Sequence, residues 1–404
     1  MISKKMLELG KQRSVIRDMF EYGREVAARI GEENVLDFSL GNPSVPAPRQ
    51  VEDAIARILR EEDPIGYHGY TSAPGDPQVR QAVAEDLNAR FATAYTGRNI
   101  FMTCGSAASL NITFRALLEH NREEIVANIP YFPEYRVFVE SQGGKFVLCP
   151  CKEDMEPDLD ALARRIGPFT MGVIINSPNN PSGMIYSREC LESLCRLLEK
   201  KEKEFGKRIF LISDEPYREL YFTKERPPFL PLLYKDTIVC YSWSKSLSLP
   251  GERIGYVLVP NTLPQWEEVM AAVAGAARSL GYVCAPSLFQ RVIKECLGAA
   301  PNLEPYRTNR DLLERELAAM GYETARAQGA FYMLIKTPER NGEVFCERAK
   351  KKNLLLVPGR SFGVPEYVRL AYCTPEDKIK KSLPIFQELM GGRQVSLRLR
   401  YGKF

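Results

Sequence analysis

Lys245 follows an apolar run at 237–241 and the turn Ser242-Trp243-Ser244, and Arg253 stands a short loop further on, within Gly251-Glu252-Arg253-Ile254-Gly255-Tyr256. A lysine read alone is most often a solvated surface group. A lysine and an arginine converging at one strand end suit an anionic ligand, because a guanidinium offers two aligned donors to an oxyanion. Three other segments end apolar runs in the same way. After 100–104 comes Gly105-Ser106-Ala107. Small residues opening a helix present backbone N–H groups and a positive dipole end to a phosphate, although an ordinary N-cap serine reads the same. After 172–176 comes Ser177-Pro178-Asn179-Asn180-Pro181-Ser182-Gly183. Its prolines and glycine stiffen a turn around two asparagines. It is either a surface turn or a rigid loop that aims one amide into a site. After 209–213 comes Asp214-Glu215-Pro216-Tyr217. The acid there is either a helix N-cap or a buried carboxylate awaiting a cation.

These segments need a scaffold that brings strand ends together. From about Asn34 onward, apolar runs at 35–40, 100–104, 124–129, 146–149, 172–176, 209–213, 237–241 and 254–259 alternate with helical stretches such as 77–90, 107–118 and 188–204. Most of the runs are apolar without alternation, as expected of strands buried on both faces of a mainly parallel sheet. The fold class is therefore α/β, and ligands in such sheets sit beyond the carboxyl ends of the strands. After about Gly281 the rhythm changes to a helical stretch at 306–320 and runs at 330–335, 354–357 and 368–371, the pattern of a smaller α+β domain. The first thirty residues read as an amphipathic helical arm with Met6, Leu9, Ile16, Met19 and Phe20 among charges. The expected organisation is an arm with part of the small domain at 1–45, a large domain at 46–280 and a small domain at 281–404.

Taken in order, Gly41-Asn42-Pro43, Asn179-Asn180-Pro181-Ser182-Gly183, Ser213-Asp214-Glu215-Pro216-Tyr217, Ser242-Trp243-Ser244-Lys245 and Gly251-Glu252-Arg253-Ile254-Gly255 resemble the fold-type I, class I/II aminotransferases that depend on pyridoxal 5'-phosphate, the aspartate aminotransferase superfamily. The resemblance runs from Gly41 to Arg369. No single motif carries it; the ordered set does. It implies a large cofactor-binding domain with a mainly parallel mixed sheet between helices, and a transaminase role in amino acid metabolism.

The resemblance also implies roles. Lys245 holds pyridoxal 5'-phosphate as a Schiff base and moves the proton between the substrate Cα and the cofactor C4′; a lysine near other cations and partly desolvated has a lowered pKa, which suits both jobs. Asp214 pairs with the pyridine nitrogen and strengthens the electron sink. Asn180 and Tyr217 hydrogen-bond the phenolic oxygen. The phosphate is taken by the backbone at Ser106 and Ala107, by Ser242, with Ser244 as an additional donor, and by Arg253. Phe132 stacks on the pyridine, with Tyr131 as the adjacent alternative. Arg369 clamps the substrate α-carboxylate, where a surface strand arginine is the plain alternative, and Gly41 approaches the same carboxylate. Tyr70, in Gly69-Tyr70-Thr71-Ser72, matches a tyrosine that reaches the neighbouring subunit's phosphate, which implies a homodimer with shared active sites.

The substrate pair that the resemblance implies is an amino acid, aspartate-type or aromatic, and a 2-oxo acid such as 2-oxoglutarate. Ala107 stands where some aspartate-specific relatives carry a lysine; another branch of the family uses an arginine of the neighbouring subunit in the region of Arg278, and Arg278, Arg13 and Arg360 are the candidates for a distal carboxylate. A C–S β-lyase of the same fold would share every anchoring residue. A non-catalytic regulatory domain carries less weight, because Lys245 is present and no DNA-binding domain is attached. The composition agrees with an enzyme of small molecules. Net charge is +4 over 404 residues, which does not point to nucleic acid or membrane. The ten cysteines include no CxxC pair and histidines number two, so neither a metal site nor a disulfide framework is expected. Reduced thiols, and no run resembling a signal peptide or a membrane span, fit a cytoplasmic protein.

Overall fold

The computed structural model describes residues 2–11 and 14–391. The chain divides into two compact units: the first comprises 1–41, 304–325 and 331–404, and the second comprises 42–303 and 326–330.

The second unit is built on a seven-stranded sheet in the order Ile100–Thr103, Gly255–Leu258, Thr237–Ser242, Phe210–Asp214, Thr170–Asn176, Glu124–Asn128, Lys145–Cys149. All neighbours are parallel except that Gly255–Leu258 runs against both of its partners. Four strands, Ile100–Thr103, Gly255–Leu258, Thr237–Ser242 and Phe210–Asp214, are buried along their whole length, which explains their largely apolar sequence. Helices cover both faces. Ile112, Phe114 and Leu117 of helix Ser106–Leu117 join Val273 and Ala276 of helix Trp266–Ser279 over Ile125, Ile174 and Ile212. On the other face Leu191, Leu194 and Leu198 of helix Arg188–Phe205 meet Val126, Val173 and Leu211. That helix starts where the Ser187 side chain accepts from Cys190 N–H, and it ends at Gly206 with φ +63°.

The second unit extends to Leu303 instead of ending at 280. Helix Ser287–Cys296 buries Val292, Ile293 and Cys296 among Val51, Ala54, Ile58 and Val79, so its apolar face belongs to this core.

The first unit holds a three-stranded antiparallel sheet in the order Val357–Pro358, Tyr367–Ala371, Tyr332–Lys336. The run at 35–40 yields only the strand Leu36–Asp37, paired in parallel with Leu354–Leu355 and outside the seven-stranded sheet. Asp37 Oδ1 accepts from the Ser39 amide at 2.8 Å and the Ser39 hydroxyl at 2.6 Å, a local turn that competes with strand continuation. The run at 354–357 accordingly splits between two sheets. The arm is two helices, Lys4–Lys11 and Val15–Ile30; only the second has buried residues, with Val26 against Val35 and Leu355.

Candidate active site

Register aligns the chemistry-bearing strand ends of the second unit. Gly255 is the partner of both Thr103 and Ser242, while Asp214 lies between Asn176 and Cys240. Because Gly255–Leu258 is antiparallel, its amino end meets the carboxyl ends of its neighbours. Arg253, just ahead of it, is thereby delivered to the turn that begins helix Ser106–Leu117. Arg253 Nη2 donates to the Cys104 carbonyl at 3.2 Å and Nη1 to the Pro250 carbonyl at 2.8 Å.

Gly105 is the N-cap of that helix, with φ +86°, and a Cβ there would stand 2.7 Å from Arg253 Nη2. A Cβ on Gly255 would collide with the Tyr241 carbonyl oxygen and approach Gly105 Cα to 3.0 Å. Two glycines therefore let three chain segments close up around the free N–H groups of the helix start. Ser106 and Ala107 are half-buried there. On the other side, Ser242 caps the short helix Trp243–Ser246: its hydroxyl accepts from Ser244 N–H at 3.2 Å and lies 2.6 Å from the Ser244 hydroxyl. The result is a cup of backbone N–H groups, two hydroxyls and one guanidinium. Arg253 itself holds φ +53°, a left-handed conformation that a non-glycine residue adopts at some cost. Lys245 is half-buried, on the turn that Ser242 caps.

Asp214 ends its strand buried, at 4% exposure. The Tyr135 hydroxyl donates to Asp214 Oδ2, whereas Oδ1 is buried with no hydrogen-bond partner. Burial pushes the carboxyl up to about 7, the Tyr135 hydrogen bond pulls it down and the Glu215 charge adds to the rise. Burial likewise drives the Tyr135 hydroxyl well above its ordinary value, so it stays a donor. An acid in this setting lacks one thing, a cation or N–H donor at Oδ1. Asp214 is thus a buried carboxylate and not a helix N-cap.

The heptapeptide at 177–183 is a rigid loop whose two asparagines differ. Asn179 is consumed by scaffolding: its Oδ1 accepts from Ser182 N–H at 3.1 Å and the Ser182 hydroxyl at 2.8 Å, and its Nδ2 donates to the Pro130 carbonyl at 3.3 Å. Asn180 is held through its backbone, by donation to Asn176 Oδ1 at 2.7 Å. Asn176 Nδ2 in turn donates to the Asp214 carbonyl at 2.9 Å, so one side chain sets both the asparagine loop and the acid. Tyr217 is buried in the turn after Asp214.

Of the two adjacent aromatics, Tyr131 packs against Phe146 in the core, with ring centroids 5.3 Å apart. Phe132 stands edge-on to Tyr135 at 5.6 Å, and so beside the residue that holds Asp214. Tyr70 lies elsewhere: it is 89% exposed, on a segment fastened by the buried Gln290, which accepts from Asp76 N–H at 2.8 Å and donates to the Thr71 hydroxyl at 3.2 Å.

In the first unit, Arg369 is no surface arginine. It is 1% exposed, donates to the Ser39 carbonyl, and its Cζ lies 4.7 Å from the Tyr332 ring centroid and 5.0 Å from that of Phe362. Any Cβ at Gly41 would collide with the Tyr332 hydroxyl, so only glycine fits. Of the distal-carboxylate candidates, Arg278 is exposed on helix Trp266–Ser279, Arg360 is exposed and paired with Glu343 at 2.9 Å, and Arg13 lies outside the described residues. Tyr135, Asn176 and Gln290 escape the sequence reading. Asn176, as the polar last residue of an apolar strand, is the one with a visible signal.

Comparison with known proteins bears directly on this arrangement. The family model "Aminotransferase class I and II" matches residues 33–383. An aspartate/prephenate aminotransferase of Thermus thermophilus is 31% identical over 372 residues, covering 89% of this chain and 91% of the relative. A crystal structure of an amino transferase from Eubacterium rectale superposes with a TM-score of 0.94 at 50% identity, covering 96% of this chain and 98% of the other. The structure of Thermus thermophilus aspartate aminotransferase with maleate gives a TM-score of 0.83 at 28% identity, covering 94% and 97% of the two chains. Among the described residues no helix is long and apolar enough to cross a membrane.

Proposed function

This chain belongs to the aminotransferase class I and II family and is a transaminase, and we propose that it holds pyridoxal 5'-phosphate at the strand ends of its seven-stranded sheet and takes aspartate as amino donor and 2-oxoglutarate as acceptor. The observation that carries the cofactor reading is the buried Asp214 with Oδ1 unpartnered. A protonated pyridine nitrogen supplies the donor that this oxygen lacks. The cup around Gly105, Ser242 and Arg253 agrees with a dianionic phosphate. The named activity of the Thermus relatives favours aspartate.

When bound, the cofactor supplies an electron sink that acidifies the substrate Cα–H bond. With the cofactor bound, Lys245 would take the Cα proton on its amine and give it up again to complete the transfer. Asp214 keeps the proton on the pyridine nitrogen by its negative charge. Asn180 and Tyr217 donate to the phenolic oxygen. Phe132, beside Tyr135, would shield the cofactor from water. The N–H groups of Ser106 and Ala107, the hydroxyls of Ser242 and Ser244, and Arg253 bind the phosphate. Arg369 takes the substrate α-carboxylate with the Gly41 backbone beside it. Tyr70, being exposed in its own chain, serves the phosphate of a second copy, which makes the working form a homodimer.

The relatives are named as aminotransferases, which does not favour a C–S β-lyase. The deciding experiment screens amino donors with 2-oxoglutarate on protein loaded with pyridoxal 5'-phosphate. Turnover with aspartate is expected. Turnover confined to aromatic donors would overturn the aspartate assignment, and steady release of ammonia and pyruvate from cystathionine would move the enzyme to the lyases.

A further inference from the structure

Behind the turn that carries Asp214 and Tyr217 lies a buried ionic cluster that no step above uses. Arg218 is 4% exposed. Its Nη1 donates to Glu215 Oε2 at 2.9 Å, its Nε to Glu219 Oε1 at 3.2 Å and its Nη2 to the Tyr256 hydroxyl at 2.7 Å. The Tyr241 ring lies 4.2 Å from its Cζ. The Tyr241 hydroxyl donates to Glu219 Oε2 at 2.8 Å and stands 2.9 Å from the Ser246 hydroxyl. A phenol has one hydrogen, so Ser246 is the donor in that second contact. Arg90 adds a further bond to Glu219 at 2.8 Å, and the Ser213 hydroxyl donates to Glu215 at 2.6 Å. Burial raises Glu215 against the pull of Arg218, while Glu219, though buried, is drawn below its ordinary value by Arg218 and Arg90.

Removing such charges from water costs about as much as their attraction returns, so bulk stability is a weak reason for the cluster. Its connectivity offers a better one. Glu215 directly follows Asp214, Ser246 directly follows Lys245, and Tyr256 lies on the strand that Arg253 precedes. We propose that Arg218 and Tyr241 are positioning residues that lock these three segments in mutual register, and so fix the lysine amine relative to the acid and the phosphate cup. This inference rests on the cofactor reading above.

Tyr241→Phe tests it, because the ring stays stacked on Tyr256 (centroids 4.9 Å apart, 28° between planes) and Glu219 keeps both arginines. Ser246→Ala is the second variant, should the first not fold. Three readouts are compared with native enzyme: the dissociation constant of pyridoxal 5'-phosphate, the pH midpoint of its bound visible absorbance, and kcat against KM for the donor. Each single variant is expected to move the absorbance midpoint and weaken cofactor binding, and to lower kcat by about tenfold with KM little changed. The double variant is expected to do no worse than Tyr241→Phe alone, since that variant already removes the hydroxyl to which Ser246 donates. Native values in both singles, or additive losses, overturn the proposal. Failure of the native protein to take up the cofactor would instead overturn the cofactor reading, and this inference with it.

Discussion

The Tyr135 hydroxyl donates to one oxygen of the Asp214 carboxylate, while the other oxygen is buried without a protein partner. A carboxylate held by one neutral donor and little else is poorly compensated inside a protein, and its elevation to about 7, caused chiefly by burial, expresses that.

The sign of the pH effect follows. The unfolded chain releases this proton near 3.8 and the cofactor-free fold near 7, so between those values the fold holds more protons and its stability falls as pH rises. Asp214→Asn is expected to flatten that slope and raise the melting temperature of the cofactor-free protein at pH 8, while lowering kcat by about a hundredfold or more. Thermal denaturation across pH, with and without cofactor, checks both halves. A variant less stable at pH 8 than the native apoprotein would contradict the buried-charge account.

Tyr135→Phe removes the hydrogen bond that lowers the Asp214 carboxyl, so the acid rises further. Cofactor affinity, measured from pH 6 to 9, is expected to decline on the acid side at a higher pH than in native protein. An unchanged profile would mean that Tyr135 only fills space.

Gly105→Ala places a Cβ 2.7 Å from Arg253 Nη2 at φ +86°. The flexible guanidinium yields and the cup opens. Affinity for pyridoxal 5'-phosphate is expected to fall about tenfold or more, with little change for unphosphorylated pyridoxal, since a charge-assisted hydrogen bond contributes roughly 1.5–3 kcal/mol. Equal losses for both ligands would point to a general distortion.

Lys245→Ala is expected to abolish covalent trapping of the cofactor by borohydride while leaving reversible binding measurable by fluorescence. Persistent trapping would assign the covalent attachment to a different lysine.

Arg369→Lys keeps the charge but loses the planar fork held between Tyr332 and Phe362. The expected result is a rise in KM for amino acid and 2-oxo acid by about tenfold or more, with cofactor affinity unchanged. Steady-state kinetics and cofactor titration separate the two.

The seven strands of the large sheet were legible because most of their positions are buried and apolar, with polar residues confined largely to their ends. The residues at their ends were legible as an ordered set of motifs. What lay hidden is what depends on tertiary register. Asn176 matters only because strand pairing sets it beside Asp214, and Arg218 only because Glu215, Glu219 and Tyr256 converge on it from two elements. Helix Ser287–Cys296 has an amphipathic sequence that fits either unit; its partners Val51, Ala54 and Ile58 decide. The run at 35–40 is apolar enough for a core strand, but periodicity cannot say which sheet receives it.

The reversed strand Gly255–Leu258 has a consequence for how the protein matures. It is the last of the seven to leave the ribosome, yet it sits between the first, Ile100–Thr103, and the sixth, Thr237–Ser242. Until it inserts, the helix start at Gly105 and the serine turn at Ser242 have no shared neighbour, and Arg253 has no cup to complete. On the proposed cofactor reading, the phosphate cup therefore waits for the chain to grow past Leu258 and reports a finished sheet.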